Sequence, residues 1–300
     1  MTQLPTMRQL RYFTALEITE HFGRAAEACF VSQSAFSVAI RELESILGVQ
    51  LVDRTTKQVA ITPIGREIAA QARLVLRDTE QLVQLAGQRQ KPLTGRLTLG
   101  VIPTIAPFLL PRILPTMRKR YPELQIFIRE GQTDMIVAEL ADGRLDVILL
   151  ALPYPLRNVK TVTLFRDRFL LACHRDTQLV DPERFAVNRV NAESVLLLED
   201  GHCMRDHALA ACRVHNLNVV NRFAASSLLT LIEMVDADLG VTFVPEMALG
   251  STLLKRTRVK TWPLPERSHR NVALGWRKST ARAEEFGLLA DLISETARPS

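Results

Sequence analysis

Apolar residues recur along this chain at two spacings, and the change falls near residue 95. In the first stretch they lie three and four apart, at Leu10, Phe13 and Leu16–Ile18, and again at Phe36, Ile40, Leu43 and Leu47. That spacing predicts amphipathic helices over Met7–Glu20 and Gln33–Leu47. Between them Gly23–Cys29 reads as a short helix of small residues, and Val31-Ser32 as a turn with Ser32 as N-cap. Gly48 closes the third helix. Leu51–Thr62 predicts a two-stranded wing with basic residues at its tip. Thr62-Pro63, a cap followed by proline at the first helical position, opens a helix that can run to about Gln90. Within it Ile68, Val75 and Leu82 repeat every seven residues beside a second row, Ala72, Thr79 and Ala86. Such rows form a coiled-coil seam between two chains or dock on their own domain. Lys91–Gly95 reads as a hinge.

From Arg96 onward short apolar runs alternate with helical patterns. Strands are predicted at Leu97–Ile102, Leu124–Arg129, Val147–Leu150, Phe169–Cys173, Val195–Leu198, Val241–Val244 and Val272–Trp276. Helices are predicted at Phe108–Tyr121, Thr133–Asp142, Met204–His215, Ser227–Asp236 and Ala281–Thr296. The alternation predicts an α/β domain, with ligands at the carboxyl ends of its strands. Thr104 and Thr133 follow two of those ends. They read either as helix N-caps or as hydroxyls facing a ligand.

Composition narrows the class. The chain has 300 residues, 47% hydrophobic and 23% charged, as in an ordinary globular protein. No apolar run is long enough to span a bilayer, and the first residues show no secretory signal pattern. Four cysteines in this length are no disulfide framework, so a cytoplasmic protein with reduced thiols is expected. The net charge is +6, but residues 1–90 carry ten Lys and Arg against nine Asp and Glu. If that segment binds nucleic acid, placed arginines and helix termini do the work, not a general basic field.

The first three helices and the wing have the form of a winged helix-turn-helix. A polar face of Gln33, Ser34, Ser37 and Arg41 begins at Ser32, and Arg24, Arg54 and Lys57 flank it. These residues are candidates for contact with double-stranded DNA. A three-helix bundle with a polar surface fits the same pattern.

The second candidate chemistry is a pair of cysteines. Leu196–Leu198 predicts a buried strand, Glu199-Asp200-Gly201 a turn, and Cys203 the start of a helix that reaches Cys212. Unpaired N–H groups at a helix start favour a thiolate, and His202 and Arg205 stand beside it. Nine helical residues span about 13 Å, whereas a disulfide needs Cα atoms within about 7 Å. A bond between these cysteines therefore requires the helix to come apart. Cys29 and Cys173 read as core residues.

Several words along the chain resemble the LysR-type transcription regulators. They are Arg24-Ala25-Ala26, Val31-Ser32-Gln33-Ser34, Ile40-Arg41-Glu42-Leu43-Glu44, Leu47-Gly48-Val49, Arg54 and Thr62-Pro63 followed by Gly65. Further on, Ile102-Pro103-Thr104, Gln132-Thr133, Leu196–Cys203 with Arg205-Asp206, Cys212 and Ala225-Ser226-Ser227-Leu228 resemble the peroxide-sensing OxyR-type branch of that family. The resemblance implies a winged helix-turn-helix (1–62), a linker helix (63–90), a hinge (91–95) and a regulatory domain. That domain would have two subdomains like a periplasmic binding protein, 96–165 with 269–300 and 166–268. It also implies roles. Cys203 attacks hydrogen peroxide, Cys212 resolves the product into a disulfide, and Thr104, Thr133, His202 and Asp206 form the peroxide pocket. The implied partners are promoter DNA, a second copy as dimer and then tetramer, and RNA polymerase. No cofactor, metal, membrane partner or enzymatic turnover is implied. Four positions depart from the pattern. Ser34 stands where proline is common. Ala39 stands where glutamine is common, Arg129 where some relatives have histidine, and Arg213 where an aromatic is common.

Three rival readings use the same residues. Cys203, His207, Cys212 and His215 are four soft ligands within a short segment, a possible zinc set. A cysteine peroxidase would use the same thiol chemistry but needs no helix-turn-helix. A LysR regulator of a small metabolite would keep the cysteines as packing residues.

Overall fold

The computed structural model describes residues 4–54, 59–87, 92–186, 190–214 and 216–297. They form two compact units, one holding the residues up to 91 together with 141–144, the other the remainder from 92 on. Lys57, Gln90, Lys91 and His215 lie outside the described residues.

The first unit opens with α1 (Met7–Thr19), α2 (Phe22–Ala28) and α3 (Gln33–Leu47). Local chemistry sets their ends. Thr6 and Gln9 form a reciprocal capping box at α1, and Ser32 Oγ accepts from the Ala35 N–H at 3.3 Å at α3. Gly48 ends α3 in the left-handed conformation. Phe13, Leu16, Phe36, Ile40 and Leu43 are buried together, as their spacing predicts, and Tyr12 stacks on Phe36 with ring centroids 5.1 Å apart. The wing is β1 (Val52–Arg54) paired antiparallel with β2 (Val59–Ile61). Glu44 Oε1 fastens it to α3 by accepting from the Leu51 and Val52 N–H groups at 2.9 and 3.2 Å.

The linker helix is α4 (Pro63–Gly87), capped by Thr62, whose hydroxyl accepts from the Gly65 N–H at 3.0 Å. Its two heptad rows are divided in use. Ile68 and Ala72 pack into the core of the first unit, beside Ala69 and Leu76. Val75, Leu82 and the neighbouring Val83 are 42%, 68% and 67% exposed. The N-terminal end of both rows is thus spent on the helix's own domain, while Val75 and Leu82 stay exposed beyond it.

The second unit is α/β. One sheet has the order β10-β6-β11-β5-β3-β4, with β9 also paired to β6. Its strands are β3 (Gly95–Val101), β4 (Leu124–Glu130), β5 (Val147–Leu152), β6 (Val159–His174), β9 (Thr242–Pro245), β10 (Val259–Pro263) and β11 (His269–Arg277). The pair β7 (Val195–Leu198) and β8 (Val220–Ala225) is parallel. The helices are α5 (Ala106–Arg120), α6 (Thr133–Ala141), α7 (Cys203–Ala211), α8 (Leu228–Asp236) and α9 (Ala283–Ala297). Leu93, placed in the hinge by sequence, is fully buried in this unit's core.

Two hydrophobic cores result. One gathers β3, β5 and β11 with α5, α6 and α9; the other gathers the end of β6 with β7, β9, α7 and α8. The long strand β6 serves both. Its first part, 159–168, pairs with β11, and its last part pairs with β9 and β10. Cys203 belongs to the first core and the adjacent Met204 to the second, so α7 begins where the two cores meet.

Candidate functional site

The carboxyl end of β3 runs into Ile102-Pro103-Thr104, and Gln132-Thr133 leads into α6. These segments and the start of α7 enclose a small cleft lined by Thr104, Gln132, Thr133, His202, Cys203 and Met204, among others. The sequence-predicted Thr104, Thr133, His202 and Cys203 thus meet in one place, all buried. Asp206 does not join them. It is exposed on the next turn of α7, and its charge disfavours the Cys203 thiolate and favours a protonated His207.

Neither threonine caps a helix. Ile105 precedes α5 without a side-chain cap, and the Thr104 hydroxyl instead accepts from Arg270 Nη1 at 2.8 Å. Thr133 is the first residue of α6, and its buried hydroxyl makes no regular hydrogen bond. It faces the Cys203 sulfur and favours the thiolate. The cleft as it stands has no space for a water-sized molecule, so a guest would have to open it.

The environment of Cys203 corrects one expectation. Burial pushes its thiol above the ordinary value, outweighing the Thr133 hydroxyl, the Arg270 guanidinium and the Ala151 backbone, which act the other way. Arg205 gives no help, because it turns to the carboxylate of Asp200. Cys212 lies just past the end of α7, beside Ser268, and burial pushes it up to about 12. All four cysteines are free. Cys203 and Cys212 are separated by the whole of α7, as the sequence predicts.

Helix α7 has nine residues, too short to hold itself in water, so its docking keeps it folded. The His207 ring bonds the Pro153 carbonyl through Nε2 at 2.7 Å, and Ser268 Oγ donates to the Ala211 carbonyl at 3.2 Å. Burial lowers the His207 pKa. Gly201 sets the entry to the helix. Its φ is 95°, and a Cβ there would approach Gln132 Oε1 to 2.7 Å. Gly201→Ala is expected to cost about 1–3 kcal/mol through its positive φ and to push the Gln132 side chain aside at the cleft. The check is a lowered denaturation midpoint together with faster alkylation of Cys203; no change in either refutes the close approach as a constraint.

Arg270 and Asp167 are functional-site residues that sequence reasoning did not find. Both side chains are buried, 2.9 Å apart, and Arg270 also donates to the Thr104 carbonyl at 2.9 Å. Each lies two residues before a predicted strand, Phe169–Cys173 or Val272–Trp276, where no local pattern marks it. Arg129, one of the departures noted above, pairs with Glu139 at 2.6 Å and does not line the cleft. Arg213 adopts a left-handed backbone, φ 56°, directly after α7. Among the described residues no three His, Cys, Asp or Glu side chains are placed to hold a metal ion; His215, the fourth residue of the possible zinc set, lies outside them.

On the first unit, Gln33, Ser34 and Arg41 are exposed along one side of α3, Ser37 is half-buried there, and the exposed Ser32 caps it. Ser32 and Ser34 bond each other at 3.1 Å. Arg24 is exposed but already donates to the Thr19 carbonyl at the end of α1, at 2.9 Å. It therefore helps to tie the first two helices, which the sequence did not indicate. Arg54 ends β1.

Comparison with known proteins fits both units. The model of the bacterial regulatory helix-turn-helix protein, lysR family, matches residues 7–66, and that of the LysR substrate binding domain matches residues 90–298. The chain is 40% identical over 295 residues to the HTH-type transcriptional regulator EstR of Acinetobacter baylyi, covering 98% of this chain and 97% of that one. It is 36% identical over 288 residues to the DNA-binding transcriptional dual regulator OxyR of Escherichia coli, covering 96% and 94%. A solved full-length OxyR variant from Pseudomonas aeruginosa matches with a TM-score of 0.82 at 34% identity, over 97% of this chain and 95% of that one. A peroxide-bound OxyR mutant from Corynebacterium glutamicum matches with a TM-score of 0.66 at 33% identity, over 99% and 94%. With both family models matched and near-complete coverage by relatives above 30% identity, this chain belongs to the LysR family of bacterial helix-turn-helix transcription regulators.

Proposed function

We propose that the protein binds promoter DNA through its first unit and senses hydrogen peroxide at Cys203. The observation that carries this reading is the cleft. A thiol at a helix start faces the buried Thr133 hydroxyl, with Thr104 and His202 beside it. Two hydroxyls hold a peroxide in line with the sulfur. The Cys203 thiolate attacks one oxygen, the O–O bond breaks, and the leaving hydroxide takes up the thiol's proton as water. The product is a sulfenic acid. Cys212 then attacks that sulfur, an S–S bond forms, and a second water leaves. Each cycle consumes one peroxide and two thiols, and a dithiol reductant must restore them. The protein is a stoichiometric sensor on this reading and not an enzyme.

The second step needs α7 to unwind. Folded, Cys212 is a poor nucleophile because burial holds it protonated. Unwinding brings it to water and to Cys203 together and breaks the His207–Pro153 and Ser268–Ala211 bonds. Those bonds join α7 to the rest of the second unit, so oxidation reshapes that unit's surface. A second copy docks along the exposed Val75, Leu82 and Val83 of α4, which pairs two α3 helices for two half-sites. Tetramer formation and contact with RNA polymerase complete the proposal, in the cytoplasm. Among the described residues no helix is long and apolar enough to cross a membrane.

A second reading, a metabolite-responsive regulator with packing cysteines, draws on the burial of both thiols. One experiment separates the two. The full chain is exposed briefly to near-stoichiometric peroxide, alkylated and peptide-mapped by mass spectrometry, with Cys203→Ser as control. A Cys203–Cys212 cross-link within seconds, absent from the control, supports peroxide sensing. Two free, slowly alkylating thiols overturn it in favour of the metabolite reading.

A further inference from the structure

The second unit contains another cavity, of about 680 Å³, which shares no lining residue with the thiol cleft. That volume suits a small organic molecule. Phe108, Phe165 and Met247 give it an apolar wall, and Arg166 and Lys255 stand at its exposed rim. The carboxylates at the cavity are already engaged. Asp167 pairs with Arg270 at 2.9 Å and Glu246 with Arg168 at 3.1 Å. Among the described residues neither Arg166 nor Lys255 is paired with an acid. An apolar wall with uncompensated cations at its mouth selects an apolar anion.

Hydrogen bonds connect this wall to the thiol cleft. The Met247 N–H donates to Asp167 Oδ1 at 3.0 Å, and Asp167 Oδ2 accepts from Arg270 Nε at 3.0 Å. Arg270 donates in turn to the Thr104 hydroxyl at 2.8 Å, and Thr104 lines the cleft of Cys203. Met247 and Asp167 also line the second cavity. A guest seated against Met247 bears directly on the group that positions Asp167.

We propose that this cavity binds a small apolar molecule carrying one anionic group, and that its occupancy alters the reactivity of Cys203 through Asp167, Arg270 and Thr104. The apolar body packs on Phe108 and Phe165 while the anion meets Arg166 and Lys255. A ligand shifts the cleft only as far as it prefers one arrangement of that chain of bonds. The cavity does not rest on the peroxide reading, since thiol reactivity can be measured with an alkylating agent.

The probe is 1-anilinonaphthalene-8-sulfonate, with uncharged N-phenyl-1-naphthylamine as its neutral counterpart, on the full-length chain. One anionic probe is expected to bind per chain, about tenfold or more tighter than the neutral one. Gly250 lines the cavity and a Cβ built there meets no atom within 4 Å, so Gly250→Trp is the substitution chosen to add bulk at it. It should abolish binding of the anion, whereas the pair Arg166→Glu and Lys255→Glu should weaken the anion about tenfold or more and spare the neutral probe. Saturating probe should change the rate of Cys203 alkylation by iodoacetamide in the parent chain and not in Gly250→Trp. Equal affinity for both probes, or undiminished binding in Gly250→Trp, overturns the site. An alkylation rate indifferent to saturating probe overturns its link to Cys203.

Discussion

Between pH 6 and pH 8 the rate of Cys203 oxidation by peroxide is expected to rise about a hundredfold, tenfold for each pH unit. The reason is the position of the thiol. Burial raises its pKa, and the groups that favour the thiolate do not reverse this. Below the pKa the reactive fraction grows tenfold per unit as pH rises, so reactivity is lost on acidification and gained toward alkaline pH. Stopped-flow mixing with excess peroxide, following sulfenic acid capture in a Cys212→Ser chain, measures it. That chain isolates the first chemical step, because no second thiol waits across α7. A rate flat over this range would mean that the helix start and Thr133 hold a preformed thiolate against burial. Thr133→Val tests the same balance from the other side. Removing the hydroxyl that favours the thiolate should slow oxidation at every pH and leave the slope intact.

Breaking the buried pair is expected to be the most destabilising single change in the second unit. Arg270 and Asp167 have side chains only 0% and 1% exposed. Asp167→Ala would strand a guanidinium that cannot shed its charge, at a cost of about 3–5 kcal/mol. Arg270→Met would strand the carboxylate instead and release the Thr104 hydroxyl and carbonyl that it holds. The double replacement Asp167→Ala with Arg270→Met should cost much less than the two single changes added, since no charge is then left alone. Denaturant unfolding of the four chains gives that cycle. If the single changes add, the pair is not the coupled unit described. The same variants report on the site: Arg270→Met should alter Cys203 reactivity even where the chain stays folded, because the cleft loses both a positive charge and the anchor of Thr104.

Local features of the sequence carry much of this protein. Helical spacing marked α1 and α3, hydroxyl caps at Ser32 and Thr62 marked where α3 and α4 begin, and the apolar run Val147–Leu150 marked the strand that the structure extends to Leu152. The separation of Cys203 from Cys212 by a helix was legible for the same reason, since helix geometry follows from residues a few positions apart. Features set by distant partners were not legible. The first part of β6 mixes half-buried and exposed positions without a period of two, and its pairing with β11 is what makes it a strand. The edge strand β10 and the short β8 depend on their neighbours in the same way.

The sequence alone determined the helices of the first unit, the polar face along α3 and the two thiols that one helix keeps apart, because each follows from short-range periodicity, capping and turn chemistry. Tertiary structure decided which groups meet. It brought Arg270 to Thr104 across 166 residues and to Asp167 across 103. It turned the first heptad of α4 inward and left Val75 and Leu82 outside. It also set the direction of the Cys203 pKa. A helix start favours the thiolate locally, but desolvation is a property of everything packed around the sulfur, and here it is the larger effect.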